Sequence, residues 1–406
     1  MLLMTKQGRL RRILGTTGGV AAGASVANAL GYVLTVIAAR VLGPAEFGAF
    51  SALLAFIIVG NVAALAIQAT VARDIARRVS AGDSVLSGLL LAGIVGTALI
   101  VAAPAITGFL SLSSAVAAVA AAVAIAALTA TGPALGTIQG QERFSALGVA
   151  VGGQAGLRVA GGLAGMALSP TAASALVGIA AGLVIAGAVT WLLARPSFHG
   201  GKGLRPAVAT TLGAGSLLLG FVIMTNADVV LARHVLTAEE SGLYGAGAIF
   251  TKIAFWLPQF VPLVAFPALV DPNRRRGAMR IGLLAVAGCG AVLVIGTALF
   301  AEQVVRLVAG SQYEDLTTWV AGFTALGAMF AIAQLVVYAH LASGDRPTTA
   351  VVWIVLLIYV AVVEATATTL LGVLAPALAA ATIVCLWGLI RERTSRSRRE
   401  PVPTLL

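Results

Sequence analysis

Val41-Leu42-Gly43-Pro44-Ala45-Glu46-Phe47-Gly48-Ala49-Phe50-Ser51-Ala52 links one long apolar run to the next. Val235-Leu236-Thr237-Ala238-Glu239-Glu240-Ser241-Gly242-Leu243-Tyr244-Gly245-Ala246 repeats it at half the chain length. Without a gap, Val-Leu, a Glu, a Gly, an aromatic and an Ala coincide. Gln139-Gly140-Gln141-Glu142-Arg143 is echoed more weakly by Ala342-Ser343-Gly344-Asp345-Arg346. These matches fall in loops, where shared hydrophobicity does not produce similarity by itself. Each half therefore reads as one copy of the same unit.

The runs around these loops set the solvent. Hydrophobic residues make up 59% of the 406 and charged residues only 10%, against about a quarter charged in a soluble domain. Apolar stretches of about twenty residues, enough to cross about 30 Å of hydrocarbon, lie near 17–39, 47–71, 85–107, 112–134, 144–167, 170–193, 208–232, 242–269, 280–301, 316–340, 348–369 and 372–390. The last two are divided at Gly372.

The charges test that count. With an inside N-terminus, inside positions hold 21 of the 26 Lys and Arg, the asymmetry expected of cytoplasmic loops. Arg40, Arg233 and Arg306 lie at outside ends, and Arg158 and Lys252 lie within spans. A missing or extra span would swap the sides downstream and destroy the pattern. Both termini are expected in the cytoplasm, and Lys6, Arg9, Arg11 and Arg12 read as an anchor rather than the start of a cleaved signal. The net charge of +11 and the basic tail belong to topology, not to nucleic-acid binding.

The expected fold is an all-α polytopic membrane protein of about twelve transmembrane helices. Two six-helix lobes, 1–200 and 201–390, precede a basic cytoplasmic tail, 391–406. Six spans per repeat is even, so the lobes share one orientation, with a pseudo-twofold along the membrane normal and a cavity between them. The longest inside loop, about 194–207, is too short for a catalytic domain, and no G-x-x-x-x-G-K-[ST] loop is present. Cys289 and Cys385 read as core residues, and His199, His234 and His340 have no metal-ligand spacing. Neither a cofactor nor a metal is expected.

Ala39-Arg40-Val41-Leu42-Gly43-Pro44-Ala45-Glu46-Phe47-Gly48 resembles the first-loop signature of bacterial polysaccharide exporters, the oligosaccharide-lipid flippases. Asn226-Ala227-Asp228 with Glu240-Ser241-Gly242-Leu243-Tyr244 resembles the second-half signature. Gln139-Gly140-Gln141-Glu142-Arg143-Phe144 resembles the loop after the fourth span. That family belongs to the multidrug/oligosaccharidyl-lipid/polysaccharide (MOP) exporter superfamily, with the multidrug/toxin extruders and the lipid II flippases. The resemblance implies alternating access by two lobes. It also implies a polyprenyl-diphosphate-linked oligosaccharide substrate, moved across the bacterial cytoplasmic membrane for surface polysaccharide synthesis. The partners it implies are that substrate, membrane lipids and a polysaccharide polymerase or glycosyltransferases. Many relatives have fourteen helices, and the twelve expected here set this chain apart from the lipid II branch.

Charges at membrane depth carry the site expectations, since each costs at least about 2.5 kcal/mol at the helix centre. Arg158 and Lys252, each about ten residues from an outer span end, read as cavity cations for a diphosphate, or as inter-helix partners. Arg40 is a third candidate, with snorkelling as the alternative. Asn28, Tyr32, Asn61, Gln68, Gln154, Gln259 and Gln334 read as polar cavity lining, or as amides joining helices. Asp228 reads as a structural partner of Lys252 or Arg233, or as a proton or Na⁺ site; Glu364 is the other candidate for coupling. The rival functions are a multidrug/toxin H⁺ or Na⁺ antiporter, whose cavity should be acidic and aromatic, and a non-transporting scaffold. None of these is an enzyme.

Overall fold

A computed structural model describes residues 23, 26–78, 81–196, 198, 216–259, 261, 275–343 and 346–394. Among these residues every regular element is helical. The chain divides into two compact units, Met1–Ser216 and Leu217–Leu406.

The first unit contains α1 (Val26–Val41), α2 (Pro44–Ala76), α3 (Gly82–Val101), a short α4 (Ala103–Phe109), α5 (Ala115–Gly140), α6 (Phe144–Leu168) and α7 (Ala172–Ala194). The second contains α8 (Ser216–Val235), α9 (Ala238–Trp256), α10 (Arg275–Leu299), a short α11 (Ala301–Val308), α12 (Val320–Ser343), α13 (Arg346–Thr366) and α14 (Leu370–Thr394). Among the described residues, twelve long helices match the twelve apolar runs one for one. The short α4 and α11 were not foreseen, and they occupy the same place in each unit, between the third and fourth long helices. The break between the last two spans falls at 367–369, where Thr369 Oγ1 accepts from the Gly372 backbone N–H at 3.3 Å.

Among the described residues, nine helices are long and apolar enough to cross a membrane on length and hydropathy alone. α1 is a shorter apolar helix over the described residues. The sequence explains why α6 and α9 fall below that standard: α6 carries Gln154, Arg158 and a run of glycines, and α9 carries Glu239, Glu240 and Lys252. The least apolar helices are thus those with charges at depth. Large apolar side chains face outward throughout, Leu168, Leu192, Val292 and Leu299 among them. In water this surface would drive aggregation, whereas lipid accepts it.

With no hydrophobic force between helices in lipid, cohesion comes from close packing of small residues. α6 meets α7 through Gly161 against Gly178, Gly165 against the Ser174 carbonyl and Gly182 against the Leu157 carbonyl, leaving no space for a Cβ. α5 meets α2 in the same way, Gly132 over the Ala64 carbonyl and Gly136 over that of Gln68. Burial follows the repeat. The fourth long helix of each unit is deeply enclosed, 61% of the apolar window of α5 and 72% of that of α12. The third is mostly lipid-facing, 33% for α3 and 17% for α10.

Candidate functional site

The repeated loop folds alike in both units. Gly43 caps α2 with φ −63° and ψ 160°, and Thr237, the residue aligned with it, caps α9 with φ −61° and ψ 161°. Pro44 suits the first turn of α2, where its missing N–H has no intrahelical use. Seven positions after the caps, Phe50 and Tyr244 are both fully buried.

The glutamates of the repeat diverge. Glu240 closes a capping box on its own helix: its side chain accepts from the Thr237 N–H at 3.1 Å, and Thr237 Oγ1 accepts from the Glu240 N–H. Glu46 instead reaches across the unit and accepts from the Ala172 N–H at 2.7 Å. There it satisfies an orphan donor at the N-terminus of α7, with a charge that suits the helix dipole. The signature glutamate of the first loop thus ties α2 to α7.

Arg158 lies half-buried on α6 with its guanidinium against α1; a Cβ on Gly31 would lie 3.1 Å from its Nη2. Its buried Nε has no hydrogen-bond partner among the described residues. Gly161 and Gly165 beside it pack on α7, and Gly162 sits between Leu34 and Ile179. These glycines serve helix packing, and they bring the α1–α6–α7 wall close around the arginine. Gly152, Gly153 and Gly156, by contrast, have nothing near them.

The other polar positions of this unit scatter. Tyr32, next to Gly31, and Gln154 and Asn61 are half-buried, while Asn28 and Arg40 are exposed. Gln68 donates to Gln139 Oε1 at 2.8 Å, an amide bond joining α2 to α5. The Arg158 guanidinium meets the Gly31 turn of α1.

The second unit is denser. Lys252 Nζ donates to Asn226 Oδ1 at 2.8 Å, joining α9 to α8. Asn226 is held in turn, its Nδ2 donating to the Val222 carbonyl at 2.8 Å. Asp228, fully buried, accepts from Tyr244 Oη at 3.4 Å, while its Oδ1 has no hydrogen-bond partner among the described residues. Lys252 and Tyr359 of α13 are its electrostatic neighbours. Tyr359 is buried, and its Oη also has no partner among the described residues. Arg233 donates to Ser241 Oγ at 3.0 Å and braces the α8–α9 turn. Sequence reasoning missed Tyr359 altogether, since an isolated tyrosine on an apolar helix carries no local signal. Tyr244, quoted in the signature, was not assigned a role.

Toward the end of α8, His234 Nε2 lies 3.4 Å from Glu364 Oε2 on α13, with both side chains about a third exposed. Gln334 is buried on α12 and donates to Tyr338 Oη at 3.3 Å. The Gln259 side chain lies outside the described residues. No group of three or more His, Cys, Asp or Glu that could hold a metal occurs among the described residues.

The two cations lie at different distances from their helix ends. Arg158 is ten residues from the Leu168 end of α6, about 15 Å at 1.5 Å per residue. Lys252 is fourteen from the Ala238 end of α9, about 21 Å by the same rise. Lys252 thus lies about one helical turn farther from its helix end than Arg158 does from its own, because α9 starts earlier than the apolar run suggests.

The family model described as "Polysaccharide biosynthesis protein" matches residues 17–271. No curated protein sequence matches. Among solved structures, an inward-facing multidrug-resistance MATE family transporter of the MOP superfamily superposes with a TM-score of 0.73 at 13% identity, over 94% of this chain and all of that one. A eukaryotic MATE transporter, AtDTX14, gives 0.68 at 10% identity, over 95% of each chain. A MOP superfamily transporter from Pyrococcus furiosus gives 0.57 at 15% identity, over 93% and 94%; its binding pocket is described as having reverse polarity that suggests a different function. At these identities the structures establish the fold.

Proposed function

We infer that this chain, which belongs to the polysaccharide biosynthesis protein family, flips a polyprenyl-diphosphate-linked oligosaccharide across a bacterial cytoplasmic membrane. That it is a multi-pass membrane transporter follows from the family and the fold; the substrate, the membrane and the inside placement of both termini are our proposal. Its halves, 1–200 and 201–390, act as the two lobes of an alternating-access cycle, and the tail 391–406 stays in the cytoplasm.

One observation carries the reading: the side chains charged at depth include one cation in each unit, Arg158 and Lys252. A diphosphate head group suits them, the guanidinium offering a planar fork and the ammonium a point charge. The Nε of Arg158, without a hydrogen-bond partner among the described residues, supports a ligand role, because a buried donor without a partner costs about 1–3 kcal/mol. Arg40, exposed at the outer end of α1, would meet the head group as it leaves. Asn28, Tyr32, Asn61, Gln154, Gln259 and Gln334 would meet sugar hydroxyls. Gln68, engaged with Gln139, contributes first to helix packing.

Energetics favour export of the anion. Moving one negative charge outward is assisted by about 2.3 kcal/mol per 100 mV of inside-negative potential. The tail stays in lipid throughout, and translocation requires no covalent step, so no enzyme activity is proposed. A polysaccharide polymerase or glycosyltransferases would act on the delivered lipid. The multidrug extruder reading requires an acidic, aromatic cavity, whereas Arg158 and Lys252 are basic. The reverse polarity described for the Pyrococcus furiosus relative supports treating pocket charge as a guide to substrate class within this fold.

The test is reconstitution of the purified chain in liposomes. Protein-dependent exposure of a fluorescent polyprenyl-diphosphate oligosaccharide to an external sugar-modifying enzyme is expected. Ion-driven efflux of an organic cation, with no change in lipid exposure, would place the chain among the extruders; neither activity would favour the scaffold.

A further inference from the structure

Three helices end and two begin at one end of the first unit. α2, α5 and α7 stop at Ala76, Gly140 and Ala194, and α3 and α6 start at Gly82 and Phe144. Close packing holds them together there. A Cβ on Gly140 would lie 2.7 Å from that of Ile75, and Trp191 of α7 packs against the apolar clusters of both α2–α3 and α5–α6. Arg143, in the α5–α6 turn, donates through Nη1 to the Leu193 carbonyl at 3.1 Å.

The surface over this packing is basic. Arg73, Arg77, Arg78, Arg143 and Arg195 are all exposed. The acids beside them are Glu142, exposed, Asp83, half-buried, and Asp74, buried and accepting from Ser84 Oγ at 2.7 Å. Five cations thus stand against three carboxylates, and with three helix C-termini set against two N-termini the backbone dipoles nearly cancel. At its opposite end the charged side chains among the described residues of the unit are Arg40 and Glu46.

Two of the arginines occupy positions where the backbone favours glycine. Arg78, just past the cap of α2, has φ 55°, and Arg195, the cap of α7, has φ 45°. A left-handed residue after a helix is usually Gly, because a Cβ crowds the carbonyl there. Ending the helix therefore does not require arginine at either place; what each adds is an exposed guanidinium. Next to these charges the wall turns apolar. Leu192 is 74% exposed, and Phe198, 59% exposed, stacks on Trp191 with ring centroids 6.2 Å apart. Aromatic side chains of this kind sit at the level of lipid head groups.

We propose that this end of the first unit binds an anionic phospholipid: Arg77, Arg78 and Arg195 hold the phosphate, and the acyl chains lie against Leu192 and Phe198. Guanidinium forks match phosphate oxygens, and a head group without a cation of its own is preferred over a zwitterionic one beside fixed positive charge. The bound lipid ties the end of α2 to the end of α7. The site is separate from Arg158 and Lys252, and it takes from the transport reading only its side of the membrane, the cytoplasmic leaflet.

The test uses the full-length protein in phosphatidylcholine nanodiscs with and without phosphatidylglycerol. Lipids retained after release are counted by native mass spectrometry, and thermal unfolding is followed in the same samples. The wild type should retain phosphatidylglycerol several-fold over phosphatidylcholine, and phosphatidylglycerol should raise its melting temperature by several degrees. Arg77→Gln combined with Arg78→Gly and Arg195→Gly should lose both effects. In phosphatidylcholine alone that variant should melt no lower than the wild type, since glycine suits both left-handed positions. Arg306→Gln, an exposed arginine of the second unit, should keep both effects. Equal retention of the two lipids by the wild type would overturn the proposal, as would an undiminished preference in the triple variant. Displacement of the lipid by inorganic phosphate would overturn the role of the acyl chains. Retention of an added polyprenyl diphosphate without retention of phosphatidylglycerol would overturn the site as a phospholipid site and assign it to the substrate. Neither readout involves flipping, so failure of the transport reading and failure of this site are seen separately.

Discussion

The two units start from the same loop and place a cation at depth, yet they treat it differently. In the first, Arg158 rests against the glycine turn of α1 with its Nε unpartnered among the described residues. In the second, Lys252 is tied to Asn226 and lies beside Asp228. The glutamates diverge in the opposite sense, Glu46 bridging helices and Glu240 serving its own. The first unit thus uses its signature acid to join two helices and sets its cation against a glycine turn. The second finishes its helix locally and surrounds its cation with a polar network. One repeat thus carries two different surroundings for its cation, a glycine turn in the first unit and a hydrogen-bonded network in the second.

The largest effect should come from removing the close packing behind Arg158. Gly161→Leu pushes a branched side chain into the Gly178 backbone of α7. Overpacking of this kind costs about 1–3 kcal/mol or more, and here no neighbouring side chain can yield. Membrane-extracted protein should elute as aggregate in size-exclusion chromatography, whereas Gly153→Leu, on an open face, should stay monodisperse.

Next is the cation itself. Arg158→Gln removes a charged donor whose hydrogen bonds are worth about 1.5–3 kcal/mol each, so flipping should fall by about tenfold or more while melting temperature holds. A large drop in stability with little loss of flipping would reassign Arg158 to structure.

Lys252 should show the reverse balance. Lys252→Met leaves Asn226 Oδ1 without its donor and should cost about 1–3 kcal/mol of stability. Adding Asn226→Leu should recover much of that loss in thermal unfolding, since both partners are then gone, but it should not recover flipping. Recovery of transport together with stability would show that the pair is only a strut.

The smallest effects separate the glutamates. Glu46→Gln should lower stability by about 1 kcal/mol through a weakened charge-assisted cap on α7. Glu240→Gln keeps a capping-box geometry and should change the melting temperature less. Equal losses would erase the architectural contrast.

Much of the fold was legible in the chain because a bilayer writes its constraint locally: about twenty apolar residues, then a loop whose charge reports its side. That rule located the twelve long helices found among the described residues, including the break before Leu370. It missed α4 and α11, which are too short to leave a hydropathy signal. It also placed the start of α9 late, because Glu239 and Glu240 interrupt the apolar run although Thr237 caps the helix ahead of them.

The site was legible as an inventory more than as a network. Arg158, Lys252 and Asp228 stand out because charge in a span is rare. Their partners do not: Asn226, Tyr359 and the Gly31 turn lie on other helices, and no spacing along one helix indicates which neighbour a side chain will meet. The likeness of Glu46 to Glu240 hid a difference that only packing reveals, since Glu46 reaches the N-terminus of α7 whereas Glu240 closes its own helix.

The most direct measurement of the central claim is the flipping rate of the diphosphate-linked oligosaccharide in liposomes for wild type and for Arg158→Gln combined with Lys252→Gln, with protein folding checked in the same samples. The account predicts rapid exposure of the labelled sugar by the wild type and a rate near that of protein-free vesicles for the double variant. Undiminished flipping without either cation would contradict it.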